Sequence, residues 1–205
     1  MIDRTMARRL FRFVNLCTRS CGLLVALLPL QGLAQQNTSN YAPERPRAER
    51  DGQHDFDFNV GVWKTHIKRI LNPLSGSRES IELSGTVTVR RVWGGRAQLE
   101  EIEADGPNGH WQGLTLFLYN PAAHQWSQTF ANSKVGKVTS PLIGDFKNGR
   151  GELFSTDTFE GRSILIRAVW SDITPDAHRF EESYSADGGA SWAPAFIANL
   201  TREKP

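Results

Sequence analysis

Two acidic side chains, Glu101 and Glu182, lie in stretches whose alternating polar and apolar residues are typical of β-strands. A pair of carboxylates across a cavity can act as general acid and general base, as in glycoside hydrolysis. A carboxylate among apolar side chains can also orient the polar group of a small ligand. The sequence leaves both chemistries open, because it does not give the separation of the two carboxylates.

Several further polar residues share a strand face with aromatic ones. Gln128 lies between Trp126 and Phe130 at strand spacing, and Glu182 lies in the same way between Phe180 and Tyr184. Aromatic walls with a few polar groups are what a small-molecule site needs. The residues predicted to bind a ligand are Trp93, Glu101, Trp126, Gln128, Arg167, Trp170, Glu182 and Tyr184. For the charged ones, internal ion pairs or an outward position remain alternatives.

Other reaction chemistries have no matching pattern in the sequence. The histidines are not spaced as zinc ligands, and none is placed as an axial haem ligand near the closing strands; they are His54, His66, His110, His124 and His178. Neither a G-x-S-x-G nucleophile motif nor a phosphate-binding loop is present. We therefore expect no metal, no cofactor and no assigned catalytic residue, and a binding protein rather than an enzyme.

The first 34 residues have the layout of an export signal. Five arginines precede the apolar run "CGLLVALLPLQGLA" (Cys21 to Ala34). This run is too short for a permanent membrane anchor, and a polar stretch follows it directly. We expect a signal peptide at 1–34, a flexible linker at 35–53 and one domain at 54–204, in a periplasmic or secreted protein. The general secretory and twin-arginine routes both remain open.

Charge and cysteine content support this division. The chain has 24 basic and 22 acidic residues, and the leader holds five arginines and one aspartate, so the remainder has 19 basic and 21 acidic residues. A slightly acidic domain gives no reason to expect nucleic acid or an anionic membrane as partner. Cys17 and Cys21 both lie in the leader, so the domain must be held together without disulfides.

The domain reads as a series of short strands. Nine or ten runs rich in β-branched and aromatic residues are separated by turn signals such as "DGPNG" and "KNGRG", and the run at 137–146 is the least regular. Only the segment 54–61 suggests a short helical turn. The absence of strand–helix alternation and the short connections predict an all-β fold, an antiparallel up-and-down β-barrel.

The stretch "SADGGASW" (Ser185 to Trp192) fits the Asp-box spacing found in sialidases and other β-propellers. A propeller needs this unit once per blade, and here it occurs once in a domain of modest length. Asp187 can bond its own backbone, and the two glycines after it can adopt positive φ. The motif is therefore interpreted as a turn between two strands.

Several motifs together resemble an uncharacterised bacterial family of calycin-like (lipocalin-like) domains of unknown function, usually exported. These motifs are "FDFNVGVW" (56–63), "VWGGRAQLEEIE" (92–103), "LFLYNPAAHQWSQTF" (116–130), "RAVW" (167–170) and "SADGGASW" (185–192). Gly61-Val62-Trp63 is similar to the lipocalin G-x-W opening, in which the Trp closes one end of the barrel beneath a basic residue of the last strand. The resemblance implies that Arg202 is that residue, and it implies a barrel but no reaction.

The favoured hypothesis is an exported barrel that binds a small, partly apolar molecule in its cup. One alternative is an enzyme that uses Glu101 and Glu182 as paired carboxylates. The other is a barrel with a solid core that acts as an interaction module. The oligomeric state and the identity of the ligand are not given by the sequence.

Overall fold

The computed structural model describes residues 51–204, in which ten antiparallel strands form a closed barrel. The strands are β1 Gly61–Ile70, β2 Ser80–Val92, β3 Ala97–Gly106, β4 Gly109–Asn120, β5 Gln125–Asn132, β6 Leu142–Lys147, β7 Arg150–Phe159, β8 Arg162–Ser171, β9 Ala177–Ser185 and β10 Ala193–Arg202. Each strand pairs with the next along the chain, and β10 pairs with β1. The predicted all-β up-and-down barrel is confirmed. The predicted strand at 137–146 is shorter, since only β6 is regular there.

The predicted signal peptide (1–34) and most of the predicted linker (35–53) lie outside the described residues. Asp51 to Gln53, at the end of the predicted linker, already contact the barrel: Gly52 is buried, and Asp51 Oδ1 accepts a hydrogen bond of 2.5 Å from Tyr119. Between residues 51 and 204, no helix is long and apolar enough to cross a membrane.

Side chains alternate between the barrel interior and its outer surface. In β1, Trp63, Thr65 and Ile67 are buried, whereas Lys64 and His66 between them are exposed. The same alternation recurs in β4, where Thr115, Phe117 and Tyr119 are buried. Because every strand is antiparallel to its neighbours, the β1–β2, β3–β4, β5–β6, β7–β8 and β9–β10 connections lie at one end. We call this the open end, and the opposite one the closed end.

Residues 51–60, here called the plug, cover the closed end. They form two short 3₁₀ turns, Gly52–His54 and Asp57–Asn59, where the sequence predicted a single helical turn at 54–61. Phe56, between the two turns, is fully buried, and its ring centroid lies 4.8 Å from Phe117 and 5.1 Å from Trp126. Burying a side chain of this size contributes roughly 2–3 kcal/mol, so the plug is part of the hydrophobic core.

Three side-chain nitrogens of the barrel donate hydrogen bonds to the backbone of the plug. Trp63 Nε1 donates to Asn59 O at 2.8 Å, Trp126 Nε1 donates to Gly52 O at 2.8 Å, and Gln98 Nε2 donates to Phe56 O at 2.8 Å. A short segment without regular backbone pairing would otherwise leave these carbonyls buried and unbonded, at a cost of about 1–3 kcal/mol each. The barrel side chains thus supply the hydrogen bonds that the plug lacks.

Arg202 joins the last strand, the first strand and the plug. Its guanidinium lies 4.0 Å from the centre of the Trp63 ring, and the two residues are paired in register between β10 and β1. Nη1 and Nη2 donate to Val60 O at 3.1 Å and Phe58 O at 3.2 Å, and Nε donates to Pro175 O at 2.7 Å. The expected pairing of Trp63 with a basic residue of the last strand is confirmed.

The Asp-box stretch forms the β9–β10 turn at the open end. Asp187 Oδ1 accepts from Ser185 Oγ at 2.7 Å and from the Ser191 amide at 2.9 Å, and Oδ2 accepts from Ser191 Oγ at 2.6 Å. These bonds hold the pKa of Asp187 well below its ordinary value. Gly188 and Gly189 have φ of 72° and 94°, which favours glycine. The motif is a turn, as the sequence predicted.

Replacing Arg202 with alanine is expected to lower the free energy of unfolding by roughly 2–4 kcal/mol, because it removes a cation–π contact and three bonds to carbonyls. Urea denaturation of the wild type and the variant measures the difference in the free energy of unfolding. Arg162→Ala, at an exposed position in β8, is the matched control and should change stability little. Equal effects of the two substitutions would contradict the structural role of Arg202.

His178 is 2 % exposed, and neither ring nitrogen has a hydrogen-bond partner among residues 51–204, so we expect the protein to be sensitive to acid. Burial, with a smaller contribution from the positive charge of Arg202, lowers the pKa of His178 from 6.5 to about 3. The unfolded chain therefore binds the proton more readily. The stability contribution is complete above pH 6.5 and is lost as the pH falls from there toward 3.

His178→Phe is expected to remove this dependence while keeping a ring against Trp63, whose centroid lies 4.3 Å away. Between pH 6.5 and 3, wild type should lose up to about 1.4 kcal/mol per pH unit relative to the variant. Urea denaturation at several pH values gives the difference. Parallel curves for the two proteins would show that His178 is not the titrating group.

Candidate ligand-binding site

A cavity of about 540 Å³ occupies the barrel between the plug and the open end. Residues of the open-end connections, such as Leu71, Asn108 and Val135, line its upper part. Its walls are mainly apolar and include Ile67, Trp111, Phe130, Ile166, Phe180 and Phe196. The interior is thus a cup with an aromatic base, rather than the solid core of the interaction-module alternative.

Glu100 in β3 is the most deeply buried carboxyl group of the cup, with a residue exposure of 5 %. Thr115 Oγ1 on β4 donates to Oε1 at 2.7 Å, and Asn59 Nδ2 of the plug lies 3.5 Å from Oε2. Desolvation raises the pKa of Glu100 above its ordinary value, and these two hydrogen bonds offset that only in part.

Two further polar side chains line the cup. Gln128 accepts a hydrogen bond of 3.1 Å from Trp170 Nε1 through Oε1, which leaves its amide nitrogen as a donor not used by this bond. The Thr65 hydroxyl on β1 is buried and has no hydrogen-bond partner in the described part of the chain. Buried polar atoms are nearly always paired, so an unpaired hydroxyl in a cavity wall marks a position where a ligand atom could bond.

Glu182 in β9 lies higher on the wall and is half-buried. Burial raises the pKa of Glu182, and the negative charge of Asp157 adds to this rise. A hydrogen bond from Tyr184 and the positive charge of Arg69 lower the pKa and offset part of the rise. Burial also raises the pKa of the Tyr184 hydroxyl, and the neighbouring Glu182 adds to this shift. Tyr184 therefore stays protonated and acts as a hydrogen-bond donor across the ordinary pH range.

The structure brings together five of the eight residues predicted to bind a ligand. Gln128, Trp170, Glu182 and Tyr184 line the cavity. Trp126 also points inward, but it packs against the plug below the cavity through its bond to Gly52. The binding role of these residues stays a prediction, whereas their inward orientation is observed.

The other three, Trp93, Glu101 and Arg167, lie outside the cup, which corrects their predicted positions. Trp93 is 67 % exposed and has φ of 52°, because β2 ends at Val92 and the turn interrupts the alternation. Glu101 is exposed on the outer face of β3. Arg167 is on the outer face of β8, where its guanidinium stacks 4.4 Å from the centre of the Trp192 ring.

Sequence reasoning missed Glu100, although a signal for it was present. Two adjacent glutamates, Glu100 and Glu101, leave the inward face of β3 ambiguous when the strand is counted from its start. Counting back from the other end of the strand resolves this, because Ala104 and Ile102 are apolar, whereas Glu103 and Asp105 are charged. That alternation places Glu100 inward and Glu101 outward.

Metal ligands were not expected, and the described part of the chain contains no group of three or more His, Cys, Asp or Glu side chains arranged to hold a metal ion. On the outer surface, His110 bonds Glu103 at 2.7 Å and Asp105 at 3.0 Å. These groups are exposed and lie away from the cup.

Comparison with known proteins gives similarity in structure only. No protein-family model and no curated protein matches the sequence. Among solved structures, a de novo designed fluorescence-activating β-barrel has a TM-score of 0.41 and 9 % identity over 72 % of this chain and 95 % of its own. The S-type phycobiliprotein lyase of Guillardia theta has a TM-score of 0.49 and 12 % identity over 73 % of this chain and 91 % of its own. A redesigned β-barrel bound to DFHBI has a TM-score of 0.40 and 8 % identity over 71 % of this chain and 99 % of its own.

These similarities concern barrels, and at such identities any function must be argued from this chain's own residues. The barrel implied by the resemblance to calycin-like domains is observed directly in the strand pairing. Membership of the bacterial family stays a prediction.

Glu100→Gln is expected to raise the free energy of unfolding at pH 8. Because burial raises the native pKa of Glu100 above the ordinary value of 4.5, its contribution to stability is complete below pH 4.5 and is lost as the pH rises through the native value. Glutamine stays neutral and can still accept the Thr115 bond. The gain should be about 1.4 kcal/mol for each unit by which the native pKa is raised.

Urea denaturation at pH 4 and pH 8 provides the measurement. Glu101→Gln, on the outer face of the same strand, should give the same small difference from wild type at both pH values. If the Glu100→Gln protein were less stable than wild type at pH 8, the claim that the buried Glu100 carboxylate destabilises the fold would be wrong.

Proposed function

We propose that this protein is an exported β-barrel that binds a small, partly apolar molecule in its cup. The observation that carries the proposal is the cavity of about 540 Å³, which has mainly apolar walls and opens at one end of the barrel. Pockets for small molecules typically measure about 300–1,000 Å³ and combine such walls with a few polar groups.

The polar groups of the cup are suited to orienting a ligand. Gln128 offers an amide nitrogen, Tyr184 a hydroxyl, and Glu100 and Glu182 offer carboxyl groups at two depths. Trp170 supplies an aromatic surface and fixes the Gln128 amide through its indole nitrogen. Because the barrel walls hold these side chains, little conformational entropy should be lost on binding.

The geometry does not favour the enzyme that uses Glu101 and Glu182. Glu101 is on the outer face of β3, whereas Glu182 faces the cup, so the two carboxylates cannot act on one bound molecule. General acid and base groups must both lie within hydrogen-bond reach of the reacting atoms. Binding is therefore proposed without a reaction.

Export is part of the same proposal and is supported by the sequence of residues 1–34. The basic stretch and the apolar run that follows it have the order of a signal peptide. The resemblance to calycin-like domains that are usually exported points the same way. Fractionation of a bacterial host, with the mature N-terminus determined by mass spectrometry, tests this part, and a chain retaining residues 1–34 in the cytoplasm would contradict it.

Ala198→Phe tests the cup directly. Ala198 on β10 is buried and lines the cavity, whereas the next residue, Asn199, is exposed on the outer face. Nile red, a neutral apolar dye, should bind the wild type with increased fluorescence. Ala198→Phe should weaken binding at least about tenfold by filling the cavity, and Asn199→Phe should leave it unchanged.

Thermal unfolding of each variant shows whether the barrel remains folded. Native and denaturing mass spectrometry of protein purified from its host would add the mass of any retained ligand. Nile red binding that Ala198→Phe and Asn199→Phe change equally would place the dye outside the cup and contradict the proposal.

A further inference from the structure

The charged residues of the cup are sorted by depth. Glu100 lies among the buried residues of the barrel, and Glu182 is half-buried above it. The positive side chains of the lining, Arg69 and Lys134, are both exposed at the open end. Lys134 Nζ donates to Asn108 O at 3.3 Å, in the β3–β4 connection. The deep part of the cup therefore holds a carboxyl group that no positive side chain of residues 51–204 accompanies.

The Glu100 carboxyl group has unused capacity as an acceptor. Its two hydrogen bonds, from Thr115 Oγ1 and Asn59 Nδ2, occupy two of the roughly four lone-pair positions that a carboxylate offers. Neither donor is charged. A buried carboxylate without a cation is costly, and the usual compensation is an ion pair with further hydrogen bonds.

Another acceptor in the cup is also unpaired. Thr65 Oγ1 on β1, 4 % exposed as a residue, lines the same cavity without a partner. The side-chain amide oxygens of Asn59 and Gln98, beside the base of the cup, are also buried and have no hydrogen-bond partner among residues 51–204. The Thr65 hydroxyl can accept a hydrogen bond as well as donate one, so it is compatible with a ligand group that only donates.

On the basis of the proposed function of the cup, we infer that its ligand is a small amphipathic amine whose protonated head pairs with Glu100. An alkylammonium group has three donors and no acceptor, and its charge offsets that of the carboxylate. The head enters first, and the apolar part lies against Ile67, Ile102 and Phe180.

The raised pKa of Glu100 is consistent with this ligand. Desolvation is the largest cause of the shift, and no charged side chain offsets it. An ammonium group at the carboxylate would favour the ionised form and oppose the desolvation.

A carboxylic acid would have to bind the other way round. Its head would stay near Arg69 and Lys134 at the open end, and only its tail would meet Glu100. Arg69 already acts electrostatically on Glu182, and both cations are solvated, so they offer a weak anchor. The buried carboxyl group would remain uncompensated.

Three ligands with the same ten-carbon tail separate these possibilities: decylamine, decanol and decanoic acid. Each competes with Nile red for the full chain at pH 7, below its aggregation concentration. Decylamine should bind at least about tenfold more tightly than decanol, since a hydrogen bond between an ammonium group and a carboxylate is stronger than one made by a neutral hydroxyl. Decanoate should bind more weakly than decanol.

Glu100→Gln should abolish the amine preference, so that decylamine and decanol bind this variant with affinities within about threefold of each other. Glu101→Gln, one residue away on the outer face, is the matched control and should keep the preference. Decanol binding also reports whether the cup of each variant is intact, so a misfolded variant is recognised without reference to the amine.

The remaining outcomes are distinct. Equal affinities of all three ligands, or the tightest binding by decanoate, would overturn the inference and leave the binding cup in place. An amine preference lost in Glu182→Gln but kept in Glu100→Gln would overturn the assignment to Glu100. Absence of Nile red binding by the wild type would overturn the proposed function, and the inference with it.

Discussion

The stacking of Arg202 on Trp63 is the contact on which the rest of the barrel depends. A sheet becomes a barrel only where its first and last strands meet, and these two residues face each other across that seam. The same guanidinium bonds two carbonyls of the plug and one of the β8–β9 connection. One side chain therefore joins strand closure to end closure, and its planar set of donors is what allows it to do both.

The plug determines where the hydrophobic core ends and the cup begins. Phe56 fills the closed end together with Phe117, Trp126 and Trp170, so the lower interior is a buried aromatic core. Above this layer, no segment of residues 51–204 enters the space between the walls, which leaves the cavity. Glu100 lies at the boundary and bonds to Asn59 of the plug, so the packing of the base also positions the deepest polar group of the cup.

The fold could be predicted from the sequence because its signals are local. Turn residues and alternating polarity mark nine strands clearly, and the least regular predicted strand corresponds to β6, which shares only three paired positions with β5. The G-x-W motif and Arg202 were predicted through a resemblance rather than from strand patterns. Their contact confirms it.

The site was less predictable, for reasons visible in single residues. The alternation of side chains shows which residues face inward only within a strand, and Trp93 comes just after β2 has ended. Either of the two consecutive glutamates in β3 could face the interior on polarity alone. The predicted residue is Glu101, whereas Glu100 is the inward one. Whether an inward side chain lines a cavity or a packed layer depends on the plug, a tertiary contact. Trp126 and Gln128 are two residues apart on one face, yet only Gln128 reaches the cavity.

The connection from Arg202 to the plug also has a kinetic consequence. Its hydrogen bonds to Phe58 and Val60 join residues 144 and 142 positions apart, whereas successive strands form hairpins from neighbouring sequence. Contacts between distant parts of the chain are the slowest to form, because a long loop must close before they stabilise anything. During synthesis, nine strands and the plug emerge before the residue that locks them together, and until it arrives β1 has one unpaired edge.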